Sequence, residues 1–302
     1  IGSTSFNVEE FMPDRIKVTT KTNKEEYSLG ETAVINIEGI NLFGPPAAGR
    51  RTELSVKLEP AAFSVENYRS YTFGDAEKKF NVLEEELGES KLDAQGMAAY
   101  SYTFSKDITP PAKIKATFQS TVIEEGGRAV SNYKVVDVHA YDKYIGIKPL
   151  SEYYAEIGQP YCIKYVVVDK KGELVKNPRL TVEVYRIIWN SIYRRDEKGR
   201  YRYFSEEETT KVFSSSLNEG AGEHTFQFTP KDYGRYKIIL TDTESAASAS
   251  YSFYASGWGY APWAMDNPDK IQLDLDKDTY AAGDKARVQI KSPFSGKALV
   301  TV

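Results

Sequence analysis

Apolar and polar residues alternate along most of this chain, in short runs that end at turn-forming residues. The segment IQLDLDKDTYAAGDKARVQI, at Ile271–Ile290, shows the pattern in full, because one alternating run enters a Tyr-x-x-Gly turn and a second run leaves it. Alternation with a period of two is typical of a β-strand that buries one face. The turn glycine, Gly283, can adopt the positive φ that a tight turn needs. The pattern therefore predicts strands joined by tight turns.

The same arrangement occurs twice more, as IKVTTKTNKEEYSLGETAVINI at Ile16–Ile37 and as YIGIKPLSEYYAEIGQPYCIKYVVV at Tyr144–Val168. The turn glycines Gly30, Gly158 and Gly283 lie about 125 residues apart, a spacing too long for a solenoid or a propeller blade. The repeat unit is therefore a whole domain.

Each complete repeat contains about seven short runs with turn signals between them, which is typical of an antiparallel sandwich of two sheets. We predict an all-β chain of tandem Ig-like sandwiches. The least periodic region, Phe63–Leu92, is expected to hold strands and loops rather than a short helix. The predicted boundaries are 1–13 for the tail strand of a preceding domain, 14–140 and 141–256 for two sandwiches, and 257–302 for a linker and the truncated start of a third.

The composition narrows the classes of partner. A formal net charge of −4 with both signs interspersed does not indicate a nucleic-acid-binding or anionic-membrane-binding surface. No apolar run reaches the roughly 18 residues of a membrane span, and no signal peptide opens the chain. We expect an internal piece of a longer protein, with any targeting signal or membrane anchor outside it.

Candidate catalytic residues are few. The two histidines, His139 and His224, lie in strand-like segments beside apolar or aromatic neighbours, where a packed histidine is more common than a base or a metal ligand. The single cysteine, Cys162, excludes an internal disulfide and a cysteine-based zinc site, and its strand-like setting favours a buried thiol. No nucleophile-elbow, zinc-protease or phosphate-loop motif is present.

Two further clusters have alternative interpretations. Asp274, Asp276 and Asp278 copy the opening of an EF-hand loop, but Thr279 and Lys285 stand where that loop needs glycine and glutamate. Strand parity explains the three aspartates as one solvated face. Trp258, Tyr260 and Trp263 could stack on a sugar ring, although packing at a domain junction is favoured, since burial of an aromatic side chain is worth about 2–3 kcal/mol.

The charged run Tyr193–Glu208 has Gly199 between two alternating arms and predicts a protruding hairpin whose charges keep an exposed edge soluble. Its exposed Arg and Lys residues also suit a protease-accessible segment, which pairing across Gly199 would oppose.

The chain resembles the bacterial alpha-2-macroglobulin family and its tandem macroglobulin-like domains. The resemblance covers essentially all 302 residues and rests on three phrases in order. They are EEFMPDRIKV, VIEEGGRAVSNYKVVDVHAYDKYIGIKP, and GWGYAPWAMDNPDKIQLDLDKDTYAAGDKARVQIKSPFSGKALVTV. The Tyr-x-x-Gly turn alone is a weak signal, but the combination is specific.

The resemblance implies a large proteinase trap on the periplasmic or extracellular face of the bacterial cell envelope, held to a membrane only through an anchor outside this chain. A proteinase cuts a bait segment, the domains rearrange, and many members bind the proteinase through a Cys–Gln thioester. The thioester motif is absent here, because Ile163, Lys164 and Tyr165 follow Cys162. The implied partners are proteinases, through the full-length protein, and neighbouring macroglobulin-like domains.

We therefore expect structural domains of a broad-spectrum endopeptidase inhibitor, with no catalytic, cofactor-binding or metal-binding residues and no enzymatic activity. The alternative is an adhesin or a carbohydrate-binding array of Ig-like domains, for which the aromatic loop at Trp258 and Trp263 would be the binding site.

Overall fold

The computed structural model describes residues 15–151, 154–195, 198–256, 272–275, 279–281, 285, 288–291 and 299. Strands dominate this part of the chain, which confirms the all-β prediction, and the helical structure within it is one 3-10 turn at Glu66–Tyr68. None of its helical structure has the length and apolar character needed to cross a bilayer. Contacts divide the chain into two units: unit 1 comprises residues 1–62 and 78–142, and unit 2 comprises residues 63–77 and 143–302.

The described residues of unit 1 form eight strands. They are β1 (Ile16–Thr22), β2 (Glu26–Ser28), β3 (Thr32–Asn41), β4 (Arg51–Ala61), β6 (Leu83–Lys91), β7 (Met97–Thr103), β8 (Lys113–Ile123) and β9 (Ala129–His139). Strand β5 (Thr72–Phe73) lies between β4 and β6 in sequence but belongs to unit 2. One sheet has the order β1-β3-β7 and the other β2-β9-β8-β4-β6. All pairs are antiparallel except β2 with β9.

Alternation places the core of unit 1 between its two sheets. Along β3, Ala33, Ile35 and Ile37 are buried, whereas Val34 on the opposite face is 38% exposed. Ile35 of the three-stranded sheet belongs to the same buried cluster as Phe118 of the five-stranded sheet. Burial of these side chains is the main favourable contribution to the fold, at about 25 cal/mol per Å² of apolar area.

Up to Ser256, the described residues of unit 2 form eight strands from Lys143 onward and one short strand within residues 63–77. They are β5 (Thr72–Phe73), β10 (Lys143–Pro149), β11 (Tyr154–Glu156), β12 (Tyr161–Asp169), β13 (Arg179–Arg195), β14 (Tyr201–Asn218), β15 (Glu223–Phe228), β16 (Gly234–Asp242) and β17 (Ser248–Ser256). The sheets have the orders β15-β12-β10-β5 and β11-β17-β16-β13-β14. Tyr165, Val182 and Phe253 belong to the core between them.

The two units have the same topology once β5 is set aside. The order β1-β3-β7 corresponds to β10-β12-β15, and β2-β9-β8-β4-β6 corresponds to β11-β17-β16-β13-β14. The sequence predicted about seven strands in each unit because one strand is too short to show alternation. This strand, β2 in unit 1 and β11 in unit 2, is three residues long. The turn glycines that follow, Gly30 and Gly158, have φ of +87° and +81°, as predicted for the repeated turn.

Residues 63–77 lie within the range predicted for the first sandwich, 14–140, but their contacts group them with unit 2. There Phe73 and Thr72 pair with Gly146 and Ile147 of β10. The buried residues of this segment include Phe63, Tyr71 and Phe73, and the alternation from Tyr71 to Phe73 is too short to establish a strand period. Periodicity therefore could not assign the segment to either unit.

Near the C-terminus, β18 (Gln272–Leu275) pairs with β19 (Val288–Lys291) in antiparallel register, with Leu273 opposite Ile290. These strands flank the third Tyr-x-x-Gly phrase and correspond in sequence to β1 with β3. The boundary predicted at residue 257 lies outside the described residues.

Strand parity in unit 1 gives a matched pair of substitutions. Ile35→Ala should lower the free energy of unfolding of unit 1 by about 2–5 kcal/mol, because it leaves a cavity between the sheets. Val34→Ala, one residue away on the exposed face, should cost less than about 1 kcal/mol. Hydrogen exchange of unit 1 strands, measured under conditions where exchange requires global opening, checks both values. Equal effects would contradict the register of β3.

Candidate functional site

A polar cluster in unit 2 joins the beginning of β15 to the neighbouring strand β12. The register places Tyr165 directly opposite His224, with ring centroids 5.6 Å apart. Tyr165 Oη donates to Glu219 Oε2 at 2.6 Å, and His224 Nδ1 lies 2.8 Å from the same oxygen. Glu219 and Gly220 also line a cavity of about 570 Å³. The cluster brings together a carboxylate, an imidazole and a phenol, as an acid–base site would.

The geometry does not leave the imidazole free for catalysis. His224 Nε2 lies 2.8 Å from the Gly220 carbonyl oxygen, so both ring nitrogens face oxygen acceptors and neither is left to take a proton from a substrate. The phenol is also held in its neutral form, because burial, reinforced by the bond to Glu219, raises the pKa of Tyr165. The cluster therefore has a structural role, because its contacts hold the loop before β15 against β12 and β15.

His139 is in unit 1, at the end of β9, and is buried. Its Nε2 lies 3.9 Å from Glu26 Oε2 on the parallel neighbour β2, and its carbonyl oxygen accepts from the Leu29 amide at 3.3 Å. A packed histidine that helps to fix the Tyr-x-x-Gly turn accounts for these contacts. Among the described residues, no group of three or more His, Cys, Asp or Glu side chains is arranged to hold a metal ion.

Cys162 lies in β12 between the buried residues Tyr161 and Ile163 and is itself half-buried, so it points away from the core rather than into it. It is opposite Gln227 of β15 in the register. Asp274 lies in β18 opposite Gln289, whereas Asp276 and Asp278 fall outside the described residues. The aromatic group Trp258, Tyr260 and Trp263 also falls outside them, and the interpretations of both clusters stay predictions.

The hairpin predicted around Gly199 is confirmed. Strand β13 pairs with β14 up to Arg195 opposite Tyr201, and Gly199 has φ of +77°. Pairing between β13 and β16 ends at Ile187, so the two strands continue beyond the sheet as a ribbon. On this ribbon Arg194 bonds Glu206 at 2.8 Å and covers the ring of Phe204. Charges along this edge strand fit the expected protection of an exposed edge.

Unit 1 has a cavity of about 660 Å³ where β1 begins and where the turns after β3 and β8 meet. Phe43, 97% exposed, and Leu42 lie on its rim. Within its lining Arg50 pairs with Glu125 at 3.1 Å, and the Arg15 backbone amide donates to Glu124 Oε1. The residues around it supply no catalytic combination.

Family models match both units. A model described as "Bacterial Alpha-2-macroglobulin MG5 domain" matches residues 14–138, and one described as "Bacterial macroglobulin domain 6" matches residues 146–258. The chain belongs to the bacterial alpha-2-macroglobulin family. The two sandwiches, which share their topology apart from β5, are consecutive macroglobulin domains of that family.

Curated alpha-2-macroglobulins match the chain along its whole length. The protein from Rickettsia conorii is 28% identical over 314 residues, covering 100% of this chain and 16% of the relative. That from Pasteurella multocida is 25% identical, with the same coverage of each chain. The chain therefore spans about a sixth of the length of these alpha-2-macroglobulins.

Solved structures of the family share the fold. Native Escherichia coli alpha-2-macroglobulin, determined by cryo-EM, aligns with a TM-score of 0.62 and 23% identity, over 95% of this chain and 19% of that chain. Salmonella alpha-2-macroglobulin reacted with methylamine aligns with a TM-score of 0.60 and 21% identity, with the same coverage.

The raised pKa of Tyr165 predicts an alkaline loss of stability in unit 2. Above about pH 10 the unfolded chain releases the phenol proton while the folded unit retains it, so the free energy of unfolding falls as pH rises. Tyr165→Phe should make this decline shallower in urea titrations between about pH 9 and 11. The exposed Tyr133 of unit 1 provides the control substitution, Tyr133→Phe. Identical slopes for wild type and Tyr165→Phe would contradict the assignment.

Proposed function

We propose that this chain forms structural macroglobulin domains of a broad-spectrum endopeptidase inhibitor. Family membership is the observation that carries the proposal, since models of two consecutive domains match residues 14–138 and 146–258. In this role the chain supplies rigid parts of a proteinase trap whose reacting groups lie elsewhere in the longer protein.

Structures of relatives that were activated by proteinases support the proposal. Solved structures include trypsin-activated Escherichia coli alpha-2-macroglobulin and the Escherichia coli protein activated by porcine elastase. The Escherichia coli relative is 26% identical to this chain over 328 residues. Two proteinases of different specificity act on one relative, which is the behaviour expected of a trap that recognises proteolysis itself rather than one active site.

The site geometry supports a mechanical role rather than an enzymatic one. His224 has both ring nitrogens against oxygen acceptors, and His139 is packed beneath a turn. Close-packed sandwiches resist deformation, so each unit can keep its shape while a larger assembly changes its own. By analogy with the family, the protein would act at the periplasmic or extracellular face of the bacterial cell envelope as a lipid-anchored protein.

The full-length protein that carries this chain provides the test. Mixed with trypsin or elastase, it should block digestion of a large protein substrate while cleavage of a small chromogenic peptide continues, because a trapped proteinase stays active but enclosed. The 302-residue chain alone is the control and should protect nothing. Undiminished digestion of the protein substrate by both proteinases in the presence of the full-length protein would contradict the proposal.

A glycan array separates this function from that of an adhesin. The chain should show no specific glycan binding. Binding that Trp258→Ala and Trp263→Ala abolish would favour the carbohydrate-binding alternative.

A further inference from the structure

Strand β5 is an addition to a sandwich that is already complete. The eight strands of unit 2 from β10 to β17 reproduce the eight-strand topology of unit 1, and the described residues of unit 1 contain no equivalent of β5. Strand β5 lies within the segment Phe63–Glu77, the strap. It lies on the outer edge of β10, and its ladder contains two residue pairs, Phe73 with Gly146 and Thr72 with Ile147.

Aromatic side chains anchor the strap to β10. Phe63 stacks on Tyr144 with ring centroids 3.8 Å apart, and it meets Phe73 edge-on at 5.2 Å. The ring of Phe73 covers Gly146 so closely that a Cβ added there would lie 2.7 Å from the Phe73 Cε1 atom. Phe63, Phe73 and Tyr144 are buried, yet none of them belongs to the core cluster between the two sheets.

The C-terminal part of the strap is held by polar contacts. The Gly74 amide donates to the Ile145 carbonyl oxygen, and the Gly74 carbonyl oxygen accepts from the Ser250 amide, each at 3.4 Å. Glu77 accepts from Lys237 at 2.9 Å and also pairs with Arg235. Burial opposes ionisation of Glu77, but the bonds from Lys237 and Ser252 outweigh it and lower the pKa of Glu77.

Tyr71 adds a further polar contact in the middle of the strap. Its hydroxyl donates to Glu223 of β15, which also pairs with Lys164 of β12. Lys148 lies over the Tyr71 ring, 5.9 Å from its centroid. Through these contacts and the aromatic anchors, unit 2 holds strap side chains that are spaced at fixed intervals. Sites that bind peptides by strand addition select side chains in the same way.

We propose that the outer edge of β10 in unit 2 is a strand-addition site for an extended peptide with aromatic anchors and an acidic end, and that the strap is its exchangeable resident ligand. The ladder is short and the anchors lie outside the core, so the strap opens locally at a smaller cost than unfolding of unit 2. The released state keeps the eight-strand sandwich and offers the edge of β10 to another strand of the same chemistry.

Two phenylalanines near each other in the chain provide matched variants. Phe73 anchors the strap, whereas Phe80, seven residues later, packs against the core of unit 1. In the 302-residue chain, Phe73→Ala should accelerate hydrogen exchange of the Gly74 and Ser250 amides by about tenfold or more while core strands β12 and β16 stay protected. Phe80→Ala should instead accelerate exchange in unit 1 and leave the strap amides unchanged.

A synthetic peptide with the sequence of residues 62–78 tests the site directly. Fluorescence anisotropy should show binding to the Phe73→Ala chain at least about tenfold tighter than to the wild-type chain, where the strap occupies the site in most molecules. A control peptide with alanine in place of both phenylalanines should not bind.

Gly146→Ala provides a second variant of the site itself, because the added Cβ takes the space of the Phe73 ring. This chain should expose the strap amides to exchange as Phe73→Ala does, yet it should fail to bind the peptide. Three results would each overturn the inference: peptide binding that is equal for wild type and Phe73→Ala, binding that survives Gly146→Ala, or loss of protection across β12 and β16 together with the strap.

Discussion

Burial of alternate side chains between two sheets is the constraint on which both units depend. A strand side chain can face only inward or outward, so a shift of one residue would expose the whole buried row of β3, including Ile35. The same condition acts on β12, where Tyr161, Ile163 and Tyr165 face the core. Strand order, turn position and register in each unit follow from the requirement that alternate side chains be buried between the sheets. Because both units meet this requirement, their different sequences form the same topology.

The sequence was sufficient to predict what depends on periodicity. Alternation predicted the all-β class, and three related phrases predicted repeated domains, two of which have the same strand order. The positive φ of Gly30 and Gly158 could be predicted from the sequence because the turn occurs at the same place in each phrase. The hairpin at Gly199 was readable because both of its arms alternate. In each case the signal lies within a few residues of the structure that it predicts.

Features that depend on distant partners were not predictable from one sequence. Tyr165 meets His224 and Glu219 only because β12 and β15 are neighbours, and nothing in either segment specifies that pairing. The strap was missed for the same reason: the partner of Phe73 is Gly146, and the alternation within the segment is too short to establish a period. A glycine in mid-strand at Gly146 was the available hint, since such glycines mark places where another chain segment approaches closely.

The position of the strap in the chain has a consequence for synthesis on the ribosome. The strap is made between β4 and β6, but β10, on which it lies, follows about seventy residues later, an interval of roughly 4–15 s at typical bacterial and eukaryotic elongation rates. During that time the nascent chain presents Phe63, Tyr71 and Phe73 without the surface that will cover them. A chaperone that recognises short aromatic segments would therefore find its target here, in a stretch that the finished protein conceals.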